Sequence, residues 1–174
     1  MRFKILICLV ISFVLMSFDM PKSIKKKVDS EIKSIFEISD FNLTPKRIEA
    51  SDLKLPSEFN DSTFFEINSS NSILGYAYIS KAPSKTDMFD YLVVLDENFV
   101  ILSTKVLIYR EDYGGEIGSK RWLKQFKGKT ENDQLVYGDD IMAISGATIS
   151  VKAMTNAVND LLYSLKALHI NKKL

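Results

Sequence analysis

The chain has 174 residues, with 23 Lys and Arg against 22 Asp and Glu, one Cys, one His and one Trp. That length suits one domain with its own core, and the even charge lacks the basic excess of a nucleic-acid binder. A single Cys and a single His cannot furnish a zinc or iron–sulfur site, and His169, five residues from the end, is poorly placed for a Ser–His or Cys–His nucleophile.

Arg2 and Lys4 precede an unbroken apolar-to-small run, Ile5 to Phe18, followed by Asp19 and the cluster Lys22, Lys25, Lys26, Lys27. Residues 1–18 therefore read as a signal peptide or N-terminal anchor, shorter than the roughly 20 residues of a membrane span. The expectation is export, to the periplasm or the outer face of the cytoplasmic membrane. Cleavage would leave a mature chain without cysteine, because Cys8 lies inside the run.

Residues 22–60 are expected to hold a helix and a connection. Ile24, Val28, Ile32, Ile35 and Phe36 recur at helical spacing over 22–37, while the polar stretch 42–60, with Pro45 and Pro56, reads as turns. From Ser62 the period becomes strand-like, with candidate strands at 63–67, 73–80, 91–95 and 99–109 and turn chemistry at Asp96-Glu97-Asn98. The β-branched run Val100, Ile101, Thr104, Val106, Ile108 predicts a central strand buried on both faces, with Lys105 marking its end or an open edge. A Gly-rich loop, 110–118, leads to a short helix over 119–126. Val151, Met154, Val158, Leu161, Leu162, Leu165 and Leu168 then line one side of a long closing helix. The predicted class is α+β: an antiparallel sheet flanked by an N-terminal and a C-terminal helix, in a single domain.

The chemistry concentrates in Ile144-Ser145-Gly146-Ala147-Thr148-Ile149-Ser150, directly ahead of the last helix. Small residues let a ligand approach the backbone, and a helix N-terminus offers N–H groups and positive partial charge to a phosphate. On the residues alone, Ser145 or Thr148 reads first as an ordinary N-cap. Trp122 and Phe126, four apart, read as core. Lys120, Arg121, Lys124, Lys127 and Lys129 read as a solvated face or as a surface for an acidic redox partner. The carboxylates are scattered, so no catalytic residues are assigned.

Ser-Gly-Ala-Thr opening a closing helix, with Glu111 and the loop Asp112-Tyr113-Gly114-Gly115-Glu116-Ile117-Gly118 before it, resembles the FMN-binding domain of covalently flavinylated proteins. Those are the C and G subunits of sodium-pumping quinone reductase and of the Rnf electron-transport complex. The likeness spans roughly residues 72–163, and it implies an FMN-binding domain over 61–170. Met142 stands where the family usually carries Asp, and no Pro follows Glu111.

The resemblance implies that Thr148 carries FMN through a phosphoester, attached from FAD by a separate, magnesium-dependent flavin transferase. It implies cofactor-binding roles for Ser145, Gly146, Ala147, Thr148, Glu111, Tyr113, Gly114 and Gly115, with Tyr109 and Arg110 as candidate tuning groups and no metal ligands. The function so implied is an exported electron carrier, working between a membrane donor and an extracytoplasmic acceptor, rather than a stand-alone enzyme. Two rivals remain: a non-redox adaptor in which Thr148 is only a cap, and a small flavin-dependent reductase.

Overall fold

The computed structural model describes residues 20–70 and 72–174, so the leader expected over 1–18 lies outside the described residues. Helix α1 (Lys22–Phe36) starts at Pro21, whose carbonyl accepts the first N–H bonds, and ends at Glu37 in the left-handed conformation. Ile24, Val28 and Ile32, one turn apart, are its buried residues.

Five strands follow: β1 (Asn42–Pro45), β2 (Phe64–Ser69), β3 (Ser72–Pro83), β4 (Met88–Asp96) and β5 (Ile101–Ile108). They pair antiparallel in chain order. At the β4–β5 turn the Asp96 carboxylate accepts the N–H groups of Asn98 at 2.9 Å and Val100 at 2.8 Å, as the turn chemistry predicted. Strand β1 lies inside the stretch expected to be only connection. Four residues ending in Pro carry no strand signal of their own, and the pairing of Asn42 with Asn68 through Pro45 with Phe65 supplies it from a distance.

Both faces of the sheet are covered. Strand alternation sends Phe65, Ile67, Ala77, Ile79, Leu92 and Val94 to α1, in one core. It sends Phe64, Tyr76, Tyr78, Phe89, Tyr91, Val93 and Leu95 to the other face, in a core shared with α3 (Thr148–Ile170). Seven consecutive residues of β4, Phe89–Asp96 short of its last, are buried, so the strand buried on both faces is β4.

The expectation that β5 is central is corrected by this order: β5 is an edge, and only Ile101, Thr104 and Leu107 are buried in it. Its β-branched composition suits any pleated, half-buried surface and does not say on which side a neighbour lies. The edge is covered instead of paired. Lys105 reaches Glu31 of α1, Lys27 donates to the Leu107 carbonyl, and the Ile101 backbone bonds Gly128 and Lys129.

The expected helix over 119–126 is a succession of short turns: a 3-10 turn (Gly115–Gly118), α2 (Lys120–Leu123), capped by the Ser119 hydroxyl, and a second 3-10 turn (Lys124–Phe126). Helix α3 buries every residue of its predicted inward face. Among the described residues no helix is long and apolar enough to cross a membrane.

Leu161 is fully buried between α3 and the sheet. Leu161→Ala should cost about 2–5 kcal/mol, read as a lower urea midpoint with an unchanged m-value.

Candidate functional site

The segment ahead of α3 is a tight turn. The Ala147 N–H donates to the Ile144 carbonyl at 3.1 Å, and Gly146, third residue of that turn, has φ +81°. A type II turn requires that left-handed conformation there, which explains Gly at this position. Ser145 and Gly146 are exposed, Ala147 is buried and Thr148, the first residue of α3, is exposed.

The residue at the cap position is Ala147, and no side chain caps the helix. Neither Ser145 nor Thr148 fills the N-cap role that the sequence allowed. The first-turn N–H groups, Thr148 to Ser150, have no intrahelical acceptor by construction. A Cβ added at Gly146 would meet nothing within 4 Å, so the space beside the turn is open.

The Gly-rich loop lies directly against this turn. Gly114, at φ +81°, sits so close that a Cβ there would be 3.0 Å from Ala147 Cβ and 2.9 Å from Tyr109 Oη. Tyr109 ties the two together: its hydroxyl donates to the Tyr113 carbonyl at 3.0 Å and lies 3.0 Å from Ser150 Oγ. A tyrosine hydroxyl has one proton, so Ser150, on the first turn of α3, is the donor to Tyr109. Tyr113 itself is 82% exposed beside the turn, as are the apolar side chains of Met142 and Ile149 in part.

The strand-like lead into the motif is held from α2. Trp122 Nε1 donates to the Met142 carbonyl at 2.8 Å, and Met142 N–H donates to Gln125 Oε1 at 2.8 Å. Trp122 is core, as expected, edge-on to Phe126 at 5.3 Å, but its indole N–H also fixes the approach to the motif.

Not every expected residue joins this cluster. Glu111 Oε1 accepts from Ser84 Oγ at 2.6 Å, Thr86 N at 2.6 Å, Thr86 Oγ1 at 3.3 Å and Asp87 N at 3.3 Å. These bonds, the Ser84 hydroxyl first, hold its carboxyl below the ordinary glutamate range. Glu111 thus fastens the β3–β4 turn to the start of the Gly-rich loop. Arg110 points to the opposite face from Tyr109, donating to the Met88 carbonyl and pairing with the buried Asp90 carboxylate. Gly115 is exposed with open space around it.

Sequence reasoning missed Ser150 as a partner of Tyr109, Gln125 as a clamp on Met142, and Ser84 and Thr86 as partners of Glu111. Gln125 alone left a trace, as a polar residue between Trp122 and Phe126 on the buried side of a helical stretch.

Two cavities bear on ligand size. One of about 210 Å³, lined by Trp122, Gln125, Met142, Ala143 and Ile144 among others, adjoins the motif. A larger one, about 560 Å³, lies on the α1 face between Ile24, Ile79, Asp90 and Arg110, and no motif residue lines it. Volume favours the second and chemistry the first. We take the first, because exposed Thr148 and an uncapped helix start fit a phosphate, whereas Asp90 and Arg110 already neutralise each other.

Gly114→Ala must place a side chain in a left-handed conformation against Tyr109 and Ala147, and should cost about 1–3 kcal/mol. Gly115→Ala, with free space, should be near neutral; paired chemical denaturation of the two variants checks this. For Glu111, the folded carboxyl lies below its unfolded value. Its stabilisation is present above the ordinary glutamate pKa and fades as pH falls through the lower, folded value. Glu111→Gln should remove that part of the acid limb, so the stability gap between the two proteins narrows on acidification; urea midpoints measured across the acid range test it.

A family model described as FMN-binding domain matches residues 85–163. Among solved structures, the crystal structure of Shewanella oneidensis NqrC aligns over 71% of this chain and 70% of its own, at 20% identity and a TM-score of 0.49. The search of curated proteins finds no match. The matched segment runs from the β3–β4 turn through the Gly-rich loop, the Ser-Gly-Ala-Thr turn and the first two-thirds of α3. Over residues 85–163 this chain is similar to FMN-binding domains.

Proposed function

We propose that the protein is an exported electron carrier holding FMN through a phosphodiester to Thr148, made by a separate flavin transferase from FAD with magnesium. The observation that carries this reading is an exposed threonine on the first turn of an uncapped 23-residue helix, presented by the Ser145-Gly146 turn.

The Thr148 hydroxyl oxygen would form the new bond to the FMN phosphorus. The pyrophosphate P–O bond breaks, AMP leaves, and the hydroxyl proton passes to solvent. The linkage keeps one negative charge, which the N–H groups of Thr148, Ile149 and Ser150 are placed to hold. Ala147 N–H is committed to Ile144, so it takes no part. Tyr113 and Ile149 offer exposed apolar surface beside the linkage for a ring to rest on. When bound, the flavin supplies the redox chemistry, and the chain supplies orientation and electrostatics.

Cavity size favours a tether over simple binding. About 210 Å³ beside the motif falls below the about 300–1,000 Å³ of ordinary small-molecule sites. A site that encloses so little of a ligand would release it, and a flavin lost outside the cell is not readily replaced. A covalent link fixes the effective concentration whatever the affinity. The electron donor is expected in the membrane, and the acceptor outside the cytoplasm.

Intact mass of the exported protein, produced with and without an active flavin transferase, tests the reading. The expected result is a gain equal to FMN less one water, absent in Thr148→Val. Because the Thr148 side chain does not cap α3, the variant should keep its stability to within about 0.5 kcal/mol. No gain beside a transferase proven on another acceptor, or full FMN retained by Thr148→Val, overturns it.

A further inference from the structure

The short helical stretch beside the motif carries the most one-sided charge in the chain. Residues 119–130 hold five cations, Lys120, Arg121, Lys124, Lys127 and Lys129, and no acid. Setting those five aside from 23 cations leaves 18 against 22 acids, so a chain of net charge +1 is acidic everywhere else taken together. Lys129 is engaged by Asp133 at 3.8 Å. Lys120, Arg121, Lys124 and Lys127 are exposed, and none of them enters an ion pair among the described residues.

These cations are not scattered around the molecule. They stand on α2 and the turn after it, whose Trp122 and Gln125 grip the Met142 backbone three residues before the motif. Arg121 lines the small cavity there with Trp122 and Met142, and Glu116 is the one acid on its wall. Met142, 64% exposed, adds apolar surface beside Arg121. Exposed cations next to exposed apolar surface suit a docking site in which charge sets approach and apolar contact adds to it.

We propose that the face formed by Lys120, Arg121, Lys124, Lys127 and Met142 docks an acidic protein surface, that of the redox partner. It rests on the electron-carrier reading for why a partner should come to this end of the molecule; the surface itself rests on charge and exposure. A partner bound here lies against the segment that leads into Thr148. The acidic remainder of the chain repels the same partner and so orients its approach.

Binding of the flavin-free full chain to a matched pair of probes tests this. Succinylated cytochrome c carries carboxylates in place of its lysine charges, and the unmodified protein is basic. The chain should bind the succinylated form and not the basic one, with affinity falling as salt is added. Lys124→Glu/Lys127→Glu should weaken that binding by about tenfold or more, with an unchanged circular dichroism spectrum. Charge reversal at Lys25/Lys33, on the far side of the sheet, should leave it intact. Equal binding to both probes, no loss in the Lys124/Lys127 variant, or equal loss in the Lys25/Lys33 variant overturns the proposal. So does binding only to vesicles of phosphatidylserine and phosphatidylcholine, which would make the patch a lipid surface. Because the chain is flavin-free in these measurements, a missing FMN mass gain sinks the carrier reading alone, whereas failed docking sinks this one alone.

Discussion

The end of the molecule that matters is organised by one close approach, that of Gly114 to Ala147. No side chain separates them, and Tyr109 closes the gap from below with a hydroxyl shared between the Tyr113 carbonyl and Ser150. Two segments more than thirty residues apart thereby become one surface. The Ser145-Gly146 turn and the open start of α3 then face solvent with their backbone donors aimed outward. A side chain at either glycine with positive φ would strain the backbone, and at Gly114 it would also pry the loop from the helix.

The sheet provides the fixed frame for that approach. Its two faces are both buried, so the alternation of β5 and its continuation sorts neighbours to different sides: Tyr109 to the α3 core and its ring neighbour Phe89 at 6.0 Å, Arg110 to the α1 face and Asp90. One residue's shift in register would exchange those two and dismantle the site. Glu111 adds a third fixing point by holding the β3–β4 turn, which keeps the root of the Gly-rich loop from swinging.

Much of this was legible in the residues, and the limits have physical causes. The two long helices announced themselves because each buries a stripe at helical spacing, and α3 did so over its whole inward face. The Ser-Gly-Ala-Thr turn was readable because its chemistry is local. Strand order was not local, so the β-branched run of β5 looked central when β4 held that place. The same holds for β1, which exists only through its partner. The partners of Glu111 were hidden for a related reason: its four bonds come from residues 84–87, which no spacing in the sequence connects to it. The absence of a capping side chain on α3 could be seen only in three dimensions, since Ser145 and Thr148 both had the right chemistry to cap.

The segment that matches the FMN-binding domain model starts inside the turn between β3 and β4, and that boundary is not one of folding. Strand β4 is sealed on both faces and bonded along its length to β3, from Gly75 with Asp96 to Pro83 with Met88, and all of β3 precedes the matched segment. Severed there, the most buried strand of the molecule would become a bare edge, with unpaired backbone groups along an apolar ribbon. Glu111 would also lose the Ser84 hydroxyl. The smallest piece able to stand alone therefore reaches back at least through β3, and a fragment cut at the family boundary is a route to aggregation.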